Sequence, residues 1–307
     1  MALETTATLP NVVKTFYDRN LLDRAVPAFV HGQFGQPRKL PNGIGKTVEF
    51  RRYSNLAAAT TPLTEGTTPA GSNLTVTLVT ATVNQYGDFI TGSDMLALTA
   101  IDPILVETTN IQGDQAGDTI DQVVREVIVA GTNLQYAAGR ASRVTITAAD
   151  TLKVSEIRKA VRTLKRANAK RFADGYYVAI VHPDATYDLT GDADWVNASQ
   201  YAGSTQIFDG EIGRIHGVRF IETTNAKKYA GAGAAGVDVF GAMFLGQNAY
   251  GIIPLDGMNL QSIFKPLGSA GVADPLDQRW SMGWKVGFTA KILNDLFMLR
   301  LEHGATA

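Results

Sequence analysis

Four histidines, no cysteine and scattered carboxylates set the limits on the chemistry this chain could carry. Without a thiol there can be no disulfide, thiolate metal site, iron–sulfur cluster or cysteine nucleophile. His31, His182, His216 and His303 stand far apart, and none shares the spacing that seats two imidazoles on one helical turn around zinc. His303, near the end of the sequence, is expected to be exposed. The densest acidic group is Asp184, Asp188, Asp192 and Asp194 around Gly191. It lacks the twelve-residue calcium loop with its terminal Glu and reads as a solvated acidic loop. His182 follows the apolar run Tyr176 to Val181, where α/β enzymes place reactive groups, and with the nearby aspartates it could serve a small-molecule hydrolase. Pro183 and Asp184 make a plain turn there an equal reading, and no G-x-S-x-G elbow accompanies it. Gly43-Ile44-Gly45-Lys46-Thr47 ends like a phosphate-binding loop. However, the first glycine of that pattern falls on Leu40, and the segment leads into a strand instead of joining a strand to a helix. These residues name no catalytic group, no cofactor and no metal ligand.

The strongest electrostatic feature lies between Thr151 and Asp174, where eight basic residues face two acidic ones, a local charge of +6. Arg158, Arg162, Lys165 and Arg166 carry it. Such a face suits solvent, salt bridges to a neighbouring subunit, or nucleic-acid phosphate. No aromatic residues are interleaved to stack bases, so sequence-specific reading has no support.

The elements that would position these groups follow from periodicity. Leu152 to Phe172 reads as a helix, with Val154, Ile157, Val161 and Leu164 on one stripe. Pro103 to Gly139 reads as one long helix, acidic in its early part, in which Gly113, Gly117 and Gly131 mark bends or close backbone approaches. Strands are expected at Thr47 to Tyr53, from Leu74 toward Tyr86, at Thr145 to Ile146, Tyr176 to Val181, Val218 to Glu222, Val237 to Leu245 and Tyr250 to Ile253, and within Leu260 to Leu301. Asp184 to Gly217 reads as irregular, anchored by Trp195 and Tyr201. A short helix is expected between Val12 and Val30, inside an extended arm. Residues 54 to 73 hold Ala, Thr, Pro and Gly with one charge, Glu65, and cannot form a core. A strand, a polar tip and a returning strand make a protruding hairpin that needs a partner to lie on.

Composition narrows the class further. The chain has 307 residues and net charge -1, with 28 Lys and Arg against 29 Asp and Glu, which leaves little charge repulsion against self-association. The N-terminal residues do not form a signal peptide, and no apolar run is long enough to span a membrane. The asparagines of Asn73-Leu74-Thr75 and Asn197-Ala198-Ser199 are chance glycosylation patterns in a Thr-rich chain. The fold class is α+β.

The order of arm, threonine-rich loop, long helix, mixed domain and closing sheet resembles a tailed-phage major capsid protein of the N4-gp56-like family, with the HK97 type of shell fold. The stretches that carry the resemblance are Lys46 to Asp94 (KTVEFRRYSNL…PLTEG…GDFITGSD), Thr151 to Tyr177, Ile212 to Asn225 (IGRIHGVRFIETTN) and Trp280 to Gly304. The resemblance implies an HK97-like fold in which residues 1–45 are the N-terminal arm and 46–95 the extended loop over the adjacent subunit. Residues 96–176 would be the peripheral domain, with spine helix 103–139 and basic helix 151–172. Residues 177–260 would be the axial domain, and 261–307 the closing strands of the peripheral domain and the C-terminus. Leu63, Glu65, Leu74, Val76 and Leu78 become the intersubunit loop candidates. The implied partners are further copies in hexamers and pentamers, packaged double-stranded DNA held non-specifically, and scaffolding, portal and decoration proteins, with no membrane. The implied location is the virion capsid, assembled in the host cytoplasm. Some relatives cross-link their loop through lysine. With no Lys between Thr47 and Leu152, a non-covalent shell is expected. A chain beginning with the short arm is also expected to use a separate scaffolding protein. A tail-tube or decoration protein is the alternative within the structural class, and the hydrolase on His182 the alternative outside it.

Overall fold

The structure is a computed structural model that describes residues 29–43, 45–54, 56–99, 104–195 and 213–306. The expected helix over residues 12–30 lies, but for its last two positions, outside them, as does Tyr201. In chain order the elements are β1 (Gln36–Pro37), β2 (Thr47–Tyr53), β3 (Val76–Thr82), β4 (Asn84–Ser93), α1 (Asp94–Thr99), α2 (Ile104–Val129), β5 (Leu134–Tyr136), α3 (Val154–Arg166), β6 (Tyr177–Val181), α4 (Pro183–Thr190), β7 (Arg214–Ile215), β8 (Val218–Glu222), β9 (Lys227–Tyr229), β10 (Val239–Leu245), β11 (Tyr250–Pro254), β12 (Gln261–Lys265), β13 (Arg279–Ile292) and β14 (Met298–His303).

Two sheets organise them. A seven-stranded sheet runs β5-β14-β10-β6-β8-β7, with β9 also on β10. A five-stranded sheet runs β1-β11-β13-β12, with β4 on β13 as well. β2 and β3 form a separate antiparallel hairpin, Thr47 opposite Thr82 and Tyr53 opposite Val76.

The apolar runs at β6 and β10 are continuous because both faces of these strands are buried. Alternate residues point to opposite faces. Tyr177, Ala179, Val181, Ala242 and Phe244 join the stripe of α3 and Leu189 of α4 in one core. Val178, Ile180, Met243 and Leu245 join Val124, Ile128 and Trp284 in a second, under α2. Val154, Ile157, Val161 and Leu164 are all buried, each contributing about 1.5–3 kcal/mol. Leu299 and Leu301 of β14 complete the first core. Segment 177–260 therefore closes no core by itself; it shares one with α3 before it and β14 after it.

Several elements differ from expectation. α2 stops at Val129, short of Gly139. Arg300 Nη1 donates to Val129 O, the carboxylate of Asp295 accepts from Thr132 N, and Leu134–Tyr136 pairs parallel with β14. A Cβ at Gly131 would stand 2.6 Å from Asp295 Oδ1, so a larger residue at this corner would push the Asp295 side chain away from Thr132. α3 ends at Arg166, six residues early, because Asn168 takes the left-handed conformation with φ 54°. The strand expected at Thr145–Ile146 is a 3-10 turn over Arg143–Thr145. α4 occupies part of the stretch expected to be irregular: Pro183 sits in its first turn and His182 Nδ1 accepts from Asp184 N at 3.2 Å. Within the expected loop 46–95, β4 pairs with β13 from Asn84 to Ser93 and so belongs to the five-stranded sheet.

Candidate assembly surfaces

The hairpin is anchored at its base and open beyond it. Phe50, Ala81 and Val83 pack with Leu40 and Ile253. Val76 and Leu78, four and two residues before Thr80, lie on the opposite face, paired with Tyr53 and Arg51. Among residues 54–75 every described side chain is exposed. The tip turns at Thr64–Thr67, where Thr67 N donates to Thr64 O and Gly66 takes φ 77°. Leu63 is 77% exposed and Leu74 62%, with Val76, Leu78 and Glu65 exposed as well. The five loop candidates thus share one protrusion, and the described part of the chain covers none of them.

A second apolar surface lies on the outer face of the five-stranded sheet. Gly283 of β13 stands between Phe89 of β4 and Ile263 of β12. A Cβ there would come within 2.8 Å of Phe89 Cβ, so the glycine floors a trough walled by two exposed apolar side chains. The inner face of β13 is closed by α2: Gln112 Nε2 donates to Met282 O at 2.6 Å and Trp284 Nε1 to Gln115 Oε1 at 3.0 Å. Gly113, Ala116 and Gly117 are buried on that helix.

α3 brings Arg158, Arg162, Lys165 and Arg166 together, as the sequence predicts. They line an open groove with Val161 and His216. His216 joins through the β7–β8 turn, where His216 and Gly217 take φ 50° and 80°, the two left-handed positions of a tight hairpin. Among the described residues none of the four cations has an ion-pair partner. Sequence reasoning missed a further basic cleft between the hairpin base and the body, which includes Arg38, Arg51, Arg52 and Lys170. The adjacent Arg51-Arg52 pair inside a strand was the available signal.

The residues considered for catalysis and metal binding hold the fold instead. Asp192 Oδ2 accepts from Val154 N at 2.9 Å and so caps α3. Asp188 Oδ2 accepts from Thr306 N at 2.9 Å. Asp184 sits in the first turn of α4. The reading of a solvated acidic loop is corrected for two of the four carboxylates: Asp188 and Asp192 tie neighbouring elements together, while Asp184 and Asp194 are exposed. Among the described residues no group of three or more histidines and carboxylates is arranged to hold a metal. His182 is engaged as the α4 cap, with its ring 4.9 Å from that of Phe240. Gly43 and Gly45 form an exposed turn with φ 83° and 98°. His303, expected at the surface, is fully buried, and burial pushes its imidazole down to about 4. Glu302, also buried, takes both Arg143 Nε (2.7 Å) and Arg300 Nε (2.8 Å). Burial pushes the Asp150 carboxyl up, but hydrogen bonds from Thr147 and Arg140 outweigh it, and the net shift is downward.

The model of the family described as "Phage capsid protein" matches residues 100–250, a span that runs from the approach to α2 into β11. No curated protein matches the chain. Among solved structures, the capsid of cyanophage P-SCSP1u has a TM-score of 0.69 at 14% identity, over 90% of this chain and 88% of that one. The capsid asymmetric unit of cyanophage Pam1 has 0.69 at 16%, over 92% of each. The capsid of Ralstonia phage GP4 has 0.69 at 14%, over 91% and 89%. The fold, with its mixed helices and sheets, is that of phage capsid proteins. Together with the family match it supports a major capsid protein that forms the shell, a structural and not a catalytic chain. No helix among the described residues is long and apolar enough to cross a membrane.

Proposed function

We propose that this chain is the major capsid protein of a tailed phage, in the N4-gp56-like group and of the HK97 shell type. It self-associates as hexamers and pentamers that tile an icosahedral shell around double-stranded DNA in the virion. The observation that carries this reading is the hairpin: a threonine-rich tip with exposed Leu63 and Leu74 that the described residues leave bare, on a body with a phage-capsid fold. Burying that tip needs another copy.

In this reading residues up to 45 are the arm and β2–β3 with its tip the extended loop. α2 is the spine helix, α3 belongs with it to the peripheral part, and residues 177–260 form the axial part. Leu63, Glu65, Leu74, Val76 and Leu78 contact the neighbouring subunit. Scaffolding, portal and decoration proteins are its further partners, and assembly takes place in the host cytoplasm. Electron microscopy of the purified protein, with light scattering for mass, tests the reading. Closed particles or five- and six-membered rings are expected. Stacked tubes would move it to a tail-tube protein. A monomer with hydrolase activity that is lost in His182→Ala would overturn it.

A further inference from the structure

The described surface concentrates one sign of charge where two grooves flank the C-terminal end of α3. The first is the groove lined by Arg158, Arg162, Lys165 and Arg166, with His216 at its edge. The second is a cleft of about 760 Å³ that includes Arg38, Arg51, Arg52 and Lys170. Ala167 and Asn168, the residues directly after Arg166, line the second cleft, so both grooves flank the C-terminal end of α3. Among the described residues no carboxylate lines either of them. Arg38 lies over the ring of Phe50 at 5.3 Å, and Arg52 reaches Leu293 O and Asn294 Oδ1 only at 3.5 and 3.4 Å. The whole chain carries -1, so these eight cations are segregated onto one band and do not reflect an excess over the molecule.

The form of the band selects its ligand. Six of the eight cations are arginines, whose planar forks match phosphate oxygens two at a time. Arg158, Arg162 and Arg166 form an i, i+4 row with successive Cα positions about 6 Å apart. The row is therefore about 12 Å long, more than the screening length of about 8 Å at physiological salt. A single acidic side chain cannot neutralise charges so spread out, but a linear polyanion can. We infer that the band is a track for the phosphate backbone of nucleic acid, bound without regard to sequence. The inference rests on the shell reading only in naming packaged double-stranded DNA as the polymer at hand.

The test measures binding of the purified chain to a random-sequence DNA duplex across a salt series, with assembly followed separately by electron microscopy. Wild type is expected to bind, with log affinity falling steeply against log salt, by about 0.9 for each phosphate contacted. The triple variant Arg158→Gln, Arg162→Gln, Arg166→Gln should weaken binding at least about tenfold and lower that slope by about 2–3. A second variant in the other groove, Arg38→Gln with Arg51→Gln, should lower it as well. Both should keep the wild-type melting curve and still form particles. No binding by wild type, or unchanged affinity and slope in both variants, overturns the track. Loss of assembly with DNA affinity intact also overturns it and makes the band a contact between copies. DNA binding that responds to the variants in a wild-type chain that never assembles would leave the track standing and sink the shell reading instead.

Discussion

Asp121 Oδ2 lies 2.8 Å from His31 Nδ1, and both residues are buried. The other oxygen of Asp121 accepts from Val30 N at 2.9 Å and His31 N at 2.7 Å. The hydroxyl of Tyr250 donates to His31 O. One carboxylate in the middle of α2 and one phenol at the start of β11 thus fasten the chain where it joins the body. β1 then pairs with β11 and leads toward the hairpin.

Replacing that carboxylate removes three hydrogen bonds at once. Asp121→Ala leaves two backbone N–H groups and an imidazole N–H without an acceptor in a dry site, at a cost of about 3 kcal/mol or more. Asp121→Asn, which keeps an acceptor oxygen, should cost less. Urea unfolding of the two variants checks this; an unchanged midpoint in Asp121→Ala would show that the junction does not depend on the carboxylate.

His303 makes stability fall in mild acid. Burial holds the folded imidazole at about 4, below its ordinary 6.5. The unfolded chain therefore takes the proton first. The contribution of neutral His303 is complete above pH 6.5 and is lost as pH falls from there toward 4. Between pH 7 and pH 5 the loss amounts to about 2 kcal/mol. His303→Gln should flatten this part of the curve in a pH series of unfolding midpoints, and equal slopes in variant and wild type would exclude His303 as the cause.

Asp192 caps a helix that lies far from it in sequence. Asp192→Ala frees the N–H of Val154 at the start of α3 and removes a negative charge from the positive end of the helix. The expected loss is about 1 kcal/mol, with Asp192→Asn or Asp192→Ser close to wild type. Thermal melts of the three variants separate the cap from a general effect of the loop.

Deleting residues 56–72 should separate folding from assembly. Every described side chain in that span is exposed, so the shortened subunit should unfold within about 0.5 kcal/mol of wild type. Light scattering should then show no particles. Particles of wild-type size would mean that the tip makes no contact between copies.

Much of the fold can be read from apolar spacing. The stripe of α3 and the runs at β6, β8 and β10 are local patterns whose period or continuity matches the faces they bury. The basic face is legible for the same reason: a helix that buries one stripe must present Arg158, Arg162, Lys165 and Arg166 on its other side. The end of α2 is not legible. Leu134 continues an apolar pattern and would extend the helix, but its backbone pairs with a strand 166 residues away in the chain. His303, Asp188 and Asp192 misled for a related reason. Polar residues near a terminus or clustered around a glycine look solvated until distant donors are placed against them.

By itself the sequence determined the absence of thiol chemistry, the bare threonine-rich tip, the principal helices and strands, and the charge of α3, since each depends on composition or on spacing within one segment. Tertiary structure alone decided that β14 closes the core of α3, that Asp192 caps that helix, that His303 is neutral in the interior, and that Arg38, Arg51 and Arg52 meet Lys170. Those relationships join residues far apart in the chain, and their energies arise only when folding excludes water between groups that local periodicity never brings together.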